Sequence, residues 1–90
     1  MRIHIRRTGG FAGIERRAEV DTSARSDADA DAWHTLAERS LAQGHTEPPI
    51  GVPDGFRYQI TVDGKTVYCS DPRLTDEQRT LITRVLKEGA

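Results

Sequence analysis

The chain is nearly without cysteine: Cys69 stands alone among ninety residues. An internal disulfide is therefore excluded, and a lone thiol fits a reducing compartment. Lysine is almost as scarce, with two against eleven arginines, so positive charge is carried mainly by the side chain suited to bidentate, geometrically defined contacts. Long apolar runs are missing. None approaches the roughly 20 residues of a membrane-spanning helix. The start, Met1-Arg2-Ile3-His4-Ile5-Arg6, alternates instead of forming the apolar centre of a signal peptide. There is also no surplus of one charge. A formal net charge of −1 argues against general capture of nucleic acid or anionic membrane. The expectation is a cytoplasmic protein forming one domain over residues 1–90, since a chain of this length fills one core but not two.

What is present is periodic. Ile3 and Ile5 alternate with Arg2, His4 and Arg6, which predicts a half-buried strand. Ile14, Ala18 and Val20 alternate with Glu15, Arg17 and Glu19 and predict a second, joined to the first as an antiparallel hairpin. Arg16 falls on the apolar face of that strand, where an inward charge can protect a sheet edge. After a polar turn at Asp21 to Arg25, Ser26 precedes three acids that suit a helix N-terminus, Asp27, Asp29 and Asp31. Trp33, Leu36, Ala37, Ser40 and Leu41 follow at helical spacing, and Gly44 marks the stop.

His45 to Gly55 holds three of the four prolines and reads as an extended connector. Phe56, Tyr58, Ile60 and Val62 then alternate with polar residues up to Asp63-Gly64, the strongest hairpin signal in the chain. A two-residue turn there pairs Val62 with Lys65, Ile60 with Val67 and Tyr58 with Cys69, so the two apolar faces coincide. Thr75 and Gln78 have capping-box spacing. They open a helix whose stripe is Leu81, Ile82, Val85 and Leu86 and which Gly89 ends. The order ββαββα predicts an α+β fold: a four-stranded, largely antiparallel sheet with both helices on one face.

The usual chemistries find little support. His4, His34, His45 and Cys69 lack short metal-ligand spacing, and no base is placed to activate Cys69. Most of the fourteen carboxylates fall at caps, turns or solvated faces. The expectation is a protein that is not an enzyme and uses no metal or cofactor. Tyr68 is the one aromatic on the solvated sheet face, too few for an RNA-reading surface.

The unabsorbed feature is Arg7-Thr8-Gly9-Gly10-Phe11-Ala12-Gly13, three glycines in five residues around one large aromatic. It is not a phosphate loop, since the Gly-Lys-Ser/Thr ending is missing. A simple turn needs one or two positive-φ residues rather than three. Two readings remain: Phe11 folds back to plug the core, or it is presented to a partner.

Ile3-x-Ile5-Arg6-Arg7-Thr8-Gly9-Gly10-Phe11-Ala12-Gly13-Ile14, then Asp21, then Phe56-x-Tyr58-x-Ile60-x-Val62-Asp63-Gly64, resembles the emfourin family. The ending Leu81-Ile82-x-x-Val85-Leu86 fits as well. Its members are small bacterial proteins similar to the inhibitor of protealysin, a thermolysin-like zinc metalloprotease. Asp27 to Ala32 and the connector are where this chain departs from the pattern. The resemblance implies competitive inhibition of such a protease, and the chemistry of the glycine-rich loop marks Arg7, Thr8, Gly9, Gly10, Phe11, Ala12 and Gly13 as the expected protease-binding residues. Thermolysin-like enzymes favour a bulky apolar side chain just after the scissile bond, and Phe11, held out by small neighbours, is expected to fill that pocket while Arg6 and Arg7 steer at the rim. The protein is expected to be monomeric. The competing function is a non-inhibitory interaction module that regulates another cytoplasmic partner through its sheet face or an exposed edge.

Overall fold

Alternation becomes a sheet because every second residue of each strand finds the same core. In the computed structural model, which describes residues 1–9, 15–47, 55–71 and 73–89, β1 is Arg2–Gly9, β2 Arg16–Asp21, β3 Phe56–Val62 and β4 Lys65–Ser70. Helix α1 is Asp27–Gln43 and α2 is Asp76–Glu88; a single 3-10 turn, Thr22–Ala24, occupies the polar segment before α1. The order is ββαββα, as expected. The strands form one sheet ordered β2-β1-β3-β4, and each neighbouring pair is antiparallel.

Ile3 and Ile5 of β1, Ala18 and Val20 of β2, Tyr58, Ile60 and Val62 of β3, and Val67 and Cys69 of β4 share one buried cluster. Trp33 and Ala37 of α1 and Leu81, Ile82, Val85 and Leu86 of α2 belong to that same cluster, so both helices cover one face. Leu36 and Leu41 pack against it only in part. Register around the Asp63-Gly64 turn is the expected one, Val62 with Lys65, Ile60 with Val67 and Tyr58 with Cys69. Both turn residues have positive φ, 47° and 87°, as the two-residue hairpin requires. Asp63 also accepts the Arg2 backbone N–H at 2.9 Å, tying this turn to the start of β1.

The helices are capped from their own sequence. Ser26 accepts the Asp29 N–H. Thr75 and Gln78 complete the capping box of α2. Gln78 does more than cap, because it is buried and its Nε2 donates to the Ser40 carbonyl of α1 at 3.3 Å. At the other end of the helix pair, fully buried Trp33 lies 4.2 Å from the Arg84 guanidinium and 5.3 Å from that of Arg25. Asp29 and Glu88 bridge both arginines, so cation–π contact and ion pairing act together there.

Gly44 ends α1 without a left-handed backbone; its φ is −86°. A Cβ at that position would stand 2.5 Å from Val67 Cγ2, so its reason is close approach rather than φ. Both outer strands are partly covered. His45 exchanges two backbone hydrogen bonds with Tyr68 of β4, and the Glu19 N–H of β2 donates to the Gly89 carbonyl at 3.2 Å.

Candidate functional site

Where β1 runs out, three of the seven expected contact residues are described: Arg7, Thr8 and Gly9. Gly10, Phe11, Ala12 and Gly13 lie outside the described residues. Gly9 has φ +91°, a backbone region in which a side chain is strained, and it is the last paired residue of β1. Its partner across the ladder is Phe56, and a Cβ on Gly9 would meet the Gly55 carbonyl oxygen at 3.0 Å. The β1 exit and the β3 start are therefore held together at one end of the sheet. The Asp63-Gly64 turn belongs to the opposite end.

This base is well tied. The Arg7 guanidinium lies 4.3 Å above the Phe56 ring. Phe56 packs in turn against Tyr58, with ring centroids 6.4 Å apart and a 57° tilt. Burial, and after it the nearby charge of Asp71, pushes the Tyr58 hydroxyl above its ordinary pKa. Asp71 itself donates its backbone N–H to the Phe56 carbonyl at 3.0 Å. On the open face Thr8 lies across from Arg57, and Arg57 from Ser70.

Two arginine pairs face one another across the first hairpin, Arg6 with Arg17 and Arg7 with Arg16. Like charges directly opposite weaken a strand pair. The structure offsets this with specific partners. Glu15 lies between Arg6 and Arg17, accepting from Arg6 Nε at 2.8 Å and also from Arg17 Nε. The hydrogen bond from Arg6, and then that from Arg17, holds the Glu15 carboxyl below its ordinary range. Arg16, expected to protect a sheet edge, also ties β2 to a helix end, since its Nη2 donates to the Leu86 carbonyl in the last turn of α2 at 2.8 Å. Sequence reasoning found Arg7 to Gly9 but did not place Gly55, Phe56, Arg57 or Asp71 beside them. The available signal was Gly55, a second glycine immediately before a strand.

Catalytic chemistry has little to work with here. No group of three or more metal-binding side chains occurs among the described residues. Cys69 is buried and its thiol is pushed up to about 12, first by burial and then by Asp71, so it is protonated and inert at neutral pH. An open cleft of about 460 Å³ lies at the far end of the sheet, but Arg2 there is engaged by Glu19 and Asp21. No helix among the described residues is long and apolar enough to cross a membrane.

The family model described as Emfourin matches residues 5–86, from within β1 to the last turn of α2. The chain belongs to the Emfourin family. No curated protein and no solved structure matches it. Emfourin membership suggests the role of a metalloprotease inhibitor and is consistent with a protein that is not an enzyme. The matched span takes in the whole glycine-rich segment, all of β2 and β1 from Ile5 onward.

Proposed function

We propose that the protein inhibits thermolysin-like zinc metalloproteases of the protealysin type by blocking their substrate cleft with Arg7 to Gly13. The observation that carries this reading is the Emfourin match across the segment, which here departs from a strand held by β2 up to Arg7 and by β3 up to Gly9. Inhibitors bind tightly when their contact segment is ordered before binding, and a three-stranded base limits what must be ordered on association. Phe11 is the anchor in this reading. It is the one large apolar side chain of the segment, flanked by Gly10 and Ala12, and it suits the bulky apolar pocket beyond the scissile bond. The zinc belongs to the enzyme. The inhibitor acts as a cytoplasmic monomer, one domain, with no cofactor of its own and no nucleic-acid or membrane partner.

A panel of thermolysin-like proteases assayed with wild type and Phe11→Ala tests the proposal. Wild type inhibits at least one member competitively, and Phe11→Ala weakens that inhibition by at least ~2 kcal/mol, as truncation of a buried aromatic anchor does. An unchanged inhibition constant accompanied by lost stability would assign Phe11 to the core instead.

A further inference from the structure

A net charge of −1 conceals a marked separation of charge along the strands. At the end from which the glycine segment leaves, the strands and the residues bonded to their ends carry Arg6, Arg7, Arg16, Arg17, Arg57 and Arg73. Their described carboxylates are Glu15 and Asp71, leaving four positive charges in excess. At the other end Arg2, Lys65 and the Met1 ammonium face Glu19, Asp21 and Asp63, and the charges balance. The arrangement has a folding cost, since two successive rows of the β1·β2 ladder set arginine against arginine. Rules of local stability are characteristically broken where a surface serves function. Arg17 and Arg6 keep much of their side chains in solvent, 63% and 41%.

We infer that these arginines form a basic collar around the base of the glycine segment, and that it docks on an acidic protein rim flanking the protease's cleft. This rests on the inhibitory reading above. Charges at a rim act mainly on encounter: they raise the association rate and lose that effect as salt screens them. The collar spans β2, β1 and β3, whereas the Asp63-Gly64 turn at the opposite end takes no part. A nucleic-acid surface would need stacking aromatics beside the arginines. The rows that hold Arg6, Arg17 and Arg57 offer only Tyr68, on the far strand.

The test measures association and dissociation rates against the best-inhibited protease of the panel, at ~20 mM and ~500 mM salt. Wild type is expected to associate at least ~10-fold faster at low salt. Arg17→Glu combined with Arg57→Glu should remove most of that advantage, with dissociation changed less than ~2-fold. Lys65→Glu, an equal change of sign per site at the opposite end, should associate like wild type. Arg17→Glu gains Arg6 as a cross-strand partner but loses the ion pair with Glu15, so the melting temperature of each variant is measured alongside, and slower association by a variant that melts well above the assay temperature cannot be ascribed to unfolding. Equal rates for wild type and the double variant at both salts would overturn the collar while leaving inhibition intact. If wild type inhibits no protease of the panel, the inhibitory reading falls and the collar with it. Low-salt retention of wild type on an oligonucleotide column, with salt-independent association to the protease, would also overturn it.

Discussion

Gly9 lies directly across the β1·β3 ladder from Phe56, and a methyl group on its α-carbon would stand 3.0 Å from the Gly55 carbonyl oxygen. Its φ of +91° adds strain for any residue with a side chain. Gly9→Ala is therefore expected to destabilise the fold by about 1–2 kcal/mol. Urea unfolding should show a lower midpoint with an unchanged slope. An unaltered midpoint would mean that the strand end adjusts freely and is not the fixed base described above.

Gly89 answers to a different constraint. A Cβ there would be 2.3 Å from the Glu19 carbonyl oxygen, a backbone atom that cannot step aside. In Gly89→Ala the chain end should leave β2, losing the hydrogen bond from the Glu19 N–H to the Gly89 carbonyl. The expected cost is about 1 kcal/mol. The uncovered edge should also promote self-association, visible in sedimentation velocity as a concentration-dependent shift absent from wild type.

The capping box of α2 gives a ranking. Thr75→Ala removes the acceptor for the Gln78 N–H and should cost about 1 kcal/mol. Gln78→Ala loses the reciprocal bond from the Thr75 N–H and the buried link to the Ser40 carbonyl. It should cost more, about 2–3 kcal/mol, because it also leaves a cavity and an unpaired carbonyl. Chemical denaturation of the two variants side by side decides the order; since Thr75→Ala also loses the hydrogen bond from Thr75 Oγ1 to Gln43 of α1, equal losses would show that the link from Gln78 to Ser40 contributes no more than that bond.

Alkaline pH should weaken the fold through Cys69. Its thiol rises from 9.0 to about 12 in the folded chain, first by burial and then by the charge of Asp71. The folded state thus retains a proton that the unfolded state releases. The stability is complete below about pH 9 and declines as pH rises toward 12. Tyr58, raised by burial and then by Asp71, acts in the same direction. Denaturation of wild type and Cys69→Ala between about pH 8 and pH 11 should give a steeper decline for wild type. Parallel slopes would show that the thiol titrates alike in both states.

The strand faces, both capping signals and the register at Asp63-Gly64 were legible because each depends on residues a few positions apart. Alternation assigns a side chain to a face, Thr75 meets Gln78 within one turn, and an Asp-Gly pair dictates its own hairpin. The site was legible only in part. Arg7, Thr8 and Gly9 stand at the strand end where the first hairpin places them. That Gly55, Phe56 and Arg57 flank them was hidden, since they lie nearly fifty residues further on and arrive through the central pairing of β1 with β3.

That pairing is the division between the two kinds of knowledge. Periodicity and caps settle which segments are strands and helices and which face each buries, because these are short-range consequences of backbone geometry. Which strand lies beside which, and hence that six arginines gather at one end while Gly89 and His45 cover the edges, depends on bringing distant segments together. Only burial of the shared core beneath α1 and α2 offsets the entropy lost in closing those loops, and it does so in one strand order.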